Sequence, residues 1–203
     1  MRGRRQLLDL FRKWDQRSKP IPIAELLEAV QSLDLKPDDV ADVLGFDETC
    51  YRRTVIHCRP HYQVLLLCWQ SEQRSPIHDH RGSSCVVRVI EGRASETRFS
   101  LTGCGRLAPA LLQEHDQGSV TASVGEEIHQ MGNFEAAGRN LITLHIYSPP
   151  PARWKFYDVG ETTLADHDLL IRKPARTIRV ELGHSPALRP LGNKVRGGLP
   201  WHR

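Results

Sequence analysis

From Tyr51 onward the hydrophobic pattern runs at period two, in short bursts separated by Gly, Pro, Asn or Ser. Alternation of this kind marks a strand with one buried face, and many short strands at close spacing specify a sandwich or a barrel. The bursts cover 54–58, 63–69, 85–90, 94–99, 108–114, 119–122, 141–147 and 154–158, with 177–182 as a further candidate. Ahead of them the period changes. Leu7, Leu8, Leu10, Phe11 and Trp14 recur at helical spacing, Ile23, Leu26, Leu27, Val30 and Leu33 repeat it, and Pro37 opens a short third helix before Gly45. The pattern predicts a helical layer over 1–46 packed on a β-domain over 47–182, followed by a basic tail over 183–203 that reads as a flexible terminus. A chain of 203 residues is long enough for one domain with a full core.

The chemistry concentrates in two segments. In Ser75-Pro76-Ile77-His78-Asp79-His80 the two histidines, one residue apart, point to the same side of an extended chain, a chelating arrangement. After the glycine turn at Gly125, Ile128-His129-Gln130-Met131-Gly132-Asn133 adds a third histidine. Three imidazoles leave an octahedral ion three open positions, and imidazole suits iron, copper, nickel and zinc alike. A closed zinc site with Cys85 as fourth ligand is an alternative that strand parity leaves open. Elsewhere Thr143, His145 and Tyr147 alternate along one burst and share a face, as do Tyr51 and Arg53, whereas Arg52 turns the other way and is expected in solvent.

Several classes are excluded by composition. Five cysteines, odd in number and without Cys-x-x-Cys spacing, argue for reduced thiols instead of a disulfide framework. A net charge of +4 gives no reason to expect nucleic acid. No run approaches the roughly 20 apolar residues of a membrane span, and the Arg-rich start continues into Asp9, Arg12 and Lys13, so a cytoplasmic protein is expected. With no apolar stripe left over, a monomer is expected.

The two histidine segments resemble the paired motifs of cupins, the first with His78, His80 and Gly92, the second with His129 and Asn133. Where many cupins place a glutamate ligand, this chain has Cys85. Together with Tyr51-Arg52-Arg53, Leu67-Cys68-Trp69 and Leu144-His145-Ile146-Tyr147-Ser148-Pro149-Pro150, the set resembles the cysteine dioxygenase family from residue 47 to about 158.

That resemblance implies a single cupin (jelly-roll) β-barrel with one iron(II) on His78, His80 and His129, and Cys85 near the metal but unbound. It implies L-cysteine and dioxygen as substrates and a sulfinate as product, the second step of thiol oxidation. Arg53, with Tyr51, would bind the substrate, since a planar guanidinium suits a carboxylate. Related enzymes acting on 3-mercaptopropionate carry glutamine at the place of Arg53, so the arginine favours cysteine. Tyr147, His145, Cys85 and Thr143 would be catalytic, with threonine replacing the family's serine. The resemblance further implies a thioether between Cys85 and Tyr147 and a cis bond before Pro149. With no ligand carboxylate, the substrate must bring the negative charge, as a thiolate does. The rival from another class is a non-catalytic metal-binding cupin, a sensor, which explains three histidines but not Arg53, His145 and Tyr147 together. Histidines 57, 61, 115, 167, 184 and 202 read as structural or exposed.

Overall fold

The computed structural model describes residues 2–158. The candidate strand at 177–182, the tail over 183–203 and histidines 167, 184 and 202 lie outside the described residues.

The helical layer consists of α1 (Arg2–Trp14), α2 (Ile23–Gln31) and a 3-10 helix (Pro37–Val43). Their apolar stripes bury Leu7, Phe11, Trp14, Leu26 and Val30, as the helical spacing requires. The 3-10 helix is tied down by Asp39, whose carboxylate accepts from the backbone N–H groups of Lys36 and Arg4 at 3.2 and 3.1 Å.

Among the described residues ten strands follow: β1 (Arg52–Arg59), β2 (Tyr62–Trp69), β3 (Ile77–Asp79), β4 (Ser84–Glu91), β5 (Ala94–Leu101), β6 (Leu107–His115), β7 (Val120–Val124), β8 (Ile128–Gly132), β9 (Leu141–Ser148) and β10 (Lys155–Tyr157). They form two five-stranded sheets, ordered β1-β2-β9-β4-β7 and β10-β3-β8-β5-β6. The cupin jelly roll therefore appears as two separate hydrogen-bonded sheets, not as a ladder closed on itself. Sequential order is broken because the chain passes between sheets. Gly92 makes one such passage, joining β4 and β5, which belong to different sheets and do not close a hairpin. Its φ is +80°, and a Cβ there would lie 2.4 Å from the Asn140 carbonyl oxygen, so only glycine fits the turn.

Period-two alternation sorts the first sheet into two cores. On β2, β4 and β9, Val64, Leu66, Cys68, Val86, Ile90, Ile142, Leu144 and Ile146 face the helical layer. The alternate residues Leu65, Leu67, Trp69, Cys85, Val87, Val89, Leu141 and Tyr147 form the interior cluster. Helix α2 packs on β4 and β7. The N-terminal layer thus covers the back of the sheet whose front carries Cys85 and Tyr147.

Candidate metal centre

The three histidines meet because β3 and β8 are hydrogen-bonded neighbours in which His78 stands opposite His129, while His80 follows β3 directly. Their candidate donor atoms lie within 4.8 Å of one another, and all three residues are buried. Each Nδ1 has a partner behind it. His78 Nδ1 donates to the Pro76 carbonyl at 2.8 Å, His129 Nδ1 donates to Glu96 Oε1 at 2.7 Å, and His80 Nδ1 lies 3.2 Å from Ser123 Oγ. Anchoring Nδ1 in this way fixes the ring and leaves Nε2 as the ligand atom. His80 Nε2 and His129 Nε2 face each other at 3.2 Å, close to the roughly 3 Å between neighbouring ligands on a first-row ion with metal–nitrogen distances near 2 Å. Burial lowers the pKa of His78 to about 3 and that of His80 further still, with the neighbouring imidazoles acting in the same direction. Both are therefore neutral, the form that binds metal. The donor set fits a divalent transition-metal ion.

Among the described residues no carboxylate joins the cluster, but one stands immediately behind it. Glu96, on β5, is buried and bonds both His129 Nδ1 and His115 Nε2, the latter at 3.1 Å. Burial alone would raise its pKa; hydrogen bonds from His115 and His129 and the charge of Arg98 outweigh it and hold the carboxyl well below its usual range. Glu96 and Ser123 were not singled out in the sequence. Both look like ordinary alternating strand positions, and each partners a histidine more than 30 residues away. His115, expected to be structural or exposed, bonds Glu96, and His57 and His61 bond Asp15 and the Trp14 carbonyl.

The first sheet supplies the opposite wall. Cys85 and Tyr147 are directly paired across β4 and β9, both on the interior face, and their side chains share a hydrogen bond. Burial pushes the Cys85 thiol up to about 12 and the Tyr147 phenol well above its ordinary value, so both are protonated at neutral pH. Thr143 Oγ1 accepts from Trp69 Nε1 at 3.0 Å and lies 2.9 Å from His145 Nε2. With a lone pair accepting the indole N–H, the hydroxyl is placed to donate a hydrogen bond to His145. Burial, assisted by Arg53, lowers the His145 pKa to about 3. Its ring lies nearly parallel to that of Tyr147, with centroids 6.3 Å apart.

Tyr51 stacks on Trp69 at 4.2 Å, and Arg53, two residues on, points the same way. The Arg53 guanidinium carbon lies 5.0 Å from the centroid of the Trp154 ring, and the guanidinium makes no hydrogen bond or ion pair among the described residues. Trp154 itself is 7% exposed, and its indole N–H meets no acceptor among the described residues. The alternating burst at 154–158 begins with this tryptophan, but β10 starts at Lys155 and Trp154 lies in the loop before it. Arg52 is half-buried, contrary to the expectation of a solvent-exposed side chain. Its guanidinium occupies the space that a Cβ on Gly45 would fill, because the segment after the 3-10 helix covers the outer face of β1. The Ser148–Pro149 bond is cis.

The structure therefore joins His78 and His129 of one sheet, with His80 just past β3, to Cys85, Thr143, His145, Tyr147 and Arg53 of the other, with Tyr51 just ahead of β1. A family model described as cysteine dioxygenase type I matches residues 2–159. Cysteine dioxygenase type 1 of Danio rerio is 27% identical over 161 residues, 75% of this chain and 79% of that protein. The protein of the same description from Bos taurus is 26% identical over 154 residues, 72% of this chain and 76% of that one. A solved structure of a conserved protein with a double-stranded β-helix domain from Klebsiella pneumoniae has a TM-score of 0.50 at 14% identity, covering 58% of this chain and 87% of that one, a likeness of fold.

Proposed function

Since the chain belongs to the cysteine dioxygenase type I family, we propose that it oxidises L-cysteine with dioxygen to cysteine sulfinate at one iron(II) held by His78, His80 and His129. The observation that carries the choice of substrate is Arg53, an inward-facing guanidinium with no anionic partner among the described residues, placed across the interior from the histidines. A small thiol bearing a carboxylate supplies what both halves of this site lack. Its carboxylate takes the edge of the guanidinium in a bidentate pair, and its thiolate brings the negative charge that the three-histidine set does not contain.

The chain's residues divide the remaining work. Arg53, with Tyr51 beside it, orients the carboxylate. Burial lowers the basicity of His145 and keeps Tyr147 and Cys85 protonated, so none of the three is poised to take the thiol proton. Tyr147 keeps its hydroxyl proton and donates a hydrogen bond within the pocket, its ring fixed by the β4 and β9 pairing. The Trp69, Thr143 and His145 chain holds the imidazole in one orientation behind it. Iron(II), when bound, supplies the Lewis acidity that stabilises a thiolate and the electron-transfer chemistry that lets dioxygen react with it. Both oxygen atoms pass to sulfur, so the product gains two oxygens and no other co-reactant is consumed.

The reading extends to the rest of the molecule. The five cysteines are all free thiols, consistent with a reducing cytoplasm. We assign the chain as one domain acting as a monomer. Among the described residues no helix is long and apolar enough to cross a membrane. The test is dioxygen uptake by the iron(II)-loaded protein with L-cysteine and 3-mercaptopropionate side by side, with the product identified by mass. Faster oxidation of cysteine with a gain of two oxygens supports the reading. Preference for the mercaptoacid would reassign the substrate, and no uptake with either would favour a metal-binding cupin without catalysis.

A further inference from the structure

We infer that Trp154 is a positioning residue whose ring holds the Arg53 guanidinium in the orientation that receives the substrate carboxylate. The inference rests on the thiol dioxygenase reading and goes beyond it, because it gives part of the substrate preference to a residue that acts through Arg53.

Arg53 lies on β1, an edge strand, and an arginine side chain has several freely rotating bonds. Left alone, such a side chain samples many orientations, and binding a carboxylate must then freeze it. Trp154 removes that freedom. The indole sits over the guanidinium, 5.0 Å from ring centroid to guanidinium carbon. A cation placed over an aromatic face is held by the ring quadrupole without using any of its N–H groups, which lie in the guanidinium plane. The donors therefore stay available for a carboxylate.

What fixes the tryptophan is equally specific. It immediately precedes β10, which pairs with the histidine strand so that Phe156 stands opposite His78. Its ring contacts His78 at 4.9 Å, His80 at 5.2 Å and Tyr147 at 5.5 Å between centroids. Trp154 thus transfers the position of the histidine sheet to a side chain on the opposite sheet. Because its N–H makes no hydrogen bond among the described residues, the residue acts through its faces, and another flat ring should replace it in part.

The experiment is a double-mutant cycle on the iron(II)-loaded protein, using Trp154→Leu, Arg53→Ala and the double variant. L-cysteine affinity is measured by anaerobic calorimetry, and KM and kcat by dioxygen uptake. Trp154→Leu is expected to weaken cysteine binding about ten-fold, the scale of one largely desolvated cation–π contact, with KM rising more than kcat falls. In the Arg53→Ala background the same substitution is expected to add little, because the group it positions is gone. Trp154→Phe, which keeps a ring face, is expected to recover most of the affinity and guards against a folding defect in the leucine variant. Additive losses in the cycle, or phenylalanine behaving like leucine, would overturn the positioning role while leaving the thiol reading intact. A wild-type protein that neither binds nor oxidises a thiol would overturn both.

Discussion

Cys85 and Tyr147 stand directly opposite each other on β4 and β9, both on the interior face and joined by a hydrogen bond. Directly paired residues have Cβ atoms about 5 Å apart, so a thiol and a phenol ring meet without any backbone movement.

The first prediction follows from that pairing. Joining the sulfur to a ring carbon of Tyr147 replaces S–H and C–H by C–S, the two hydrogens and their electrons passing to dioxygen. After exposure of the iron-loaded protein to thiol and air, the intact mass should fall by about 2 Da. Cys85→Ser should abolish the change, and a loss of the same size in that variant would place the modification elsewhere.

A second prediction concerns the carboxylate seat. Arg53→Ala should raise KM for L-cysteine by about 30- to 100-fold, the scale of a charge-assisted bidentate pair. Arg52→Ala should leave KM unchanged because its side chain lies on the other face of β1, against Gly45. Its half-buried position means that this control must be judged at matched folded fraction. Equal rises in both variants would remove Arg53 from substrate recognition.

Glu96 yields a third, since it holds His129 from behind at 2.7 Å. Outer partners of metal-ligating histidines contribute about 10- to 100-fold to metal affinity. Glu96→Gln, which keeps an acceptor but loses the charge, should weaken iron binding about ten-fold, and Glu96→Ala about 100-fold. Competition with a chelator of known affinity measures both. Removing the metal from the wild type should abolish thiol oxidation, and iron(II) should restore it.

The fourth prediction lies on the opposite side of the molecule. Asp15, just after α1, accepts from Arg59, Tyr62 and His57 at 2.6, 2.7 and 2.8 Å. Burial acts to raise its pKa, but the hydrogen bonds from His57, Tyr62 and Arg59 prevail and lower it. A carboxyl depressed in the fold stabilises it at neutral pH, and that contribution is lost as pH falls through the folded value. His57 is lowered too, by burial first, against the opposing bond from Asp15. The unfolded chain therefore takes up its proton earlier, and stability also declines as pH drops below the ordinary value of 6.5. Both slopes point to loss of stability in acid. Asp15→Ala should cost about 3 kcal/mol at pH 7 and flatten the part of the decline below about pH 4, read from urea midpoints across the range. An unchanged acid limb would remove Asp15 from this role.

Much of this arrangement is legible in the amino-acid sequence alone. The apolar and alternating bursts between turn residues coincide with β1, β2, β4, β5, β6, β7, β9 and β10 to within a few residues, although β2 and β9 are buried on both faces and stand out as apolar runs instead. Strand β8 carries no period-two signal because its two large apolar residues, Ile128 and Met131, stand three apart, although its motif marks His129 within it. Pairing was a different matter. Glu91-Gly92 signals a turn, but whether that turn closes a hairpin or crosses between sheets depends on contacts with Asn140, some 50 residues on. The same limit hid Glu96, Ser123 and Trp154, whose meaning comes only from the strand or loop beside them in space. Arg52 was misplaced because alternation describes one sheet and knows nothing of the segment that later covers its outer face.

The burial of β9 has a consequence for how the site is lost. All eight of its residues are buried, and it is the middle strand of its sheet, bonded to β2 on one side and β4 on the other. Amides in such a strand exchange with solvent only when the neighbouring strands separate as well, so the opening that exposes Thr143, His145 and Tyr147 is close to the opening of the whole domain. Partial unfolding events that fray the edges would leave this wall of the pocket assembled, and its lifetime is that of the native fold.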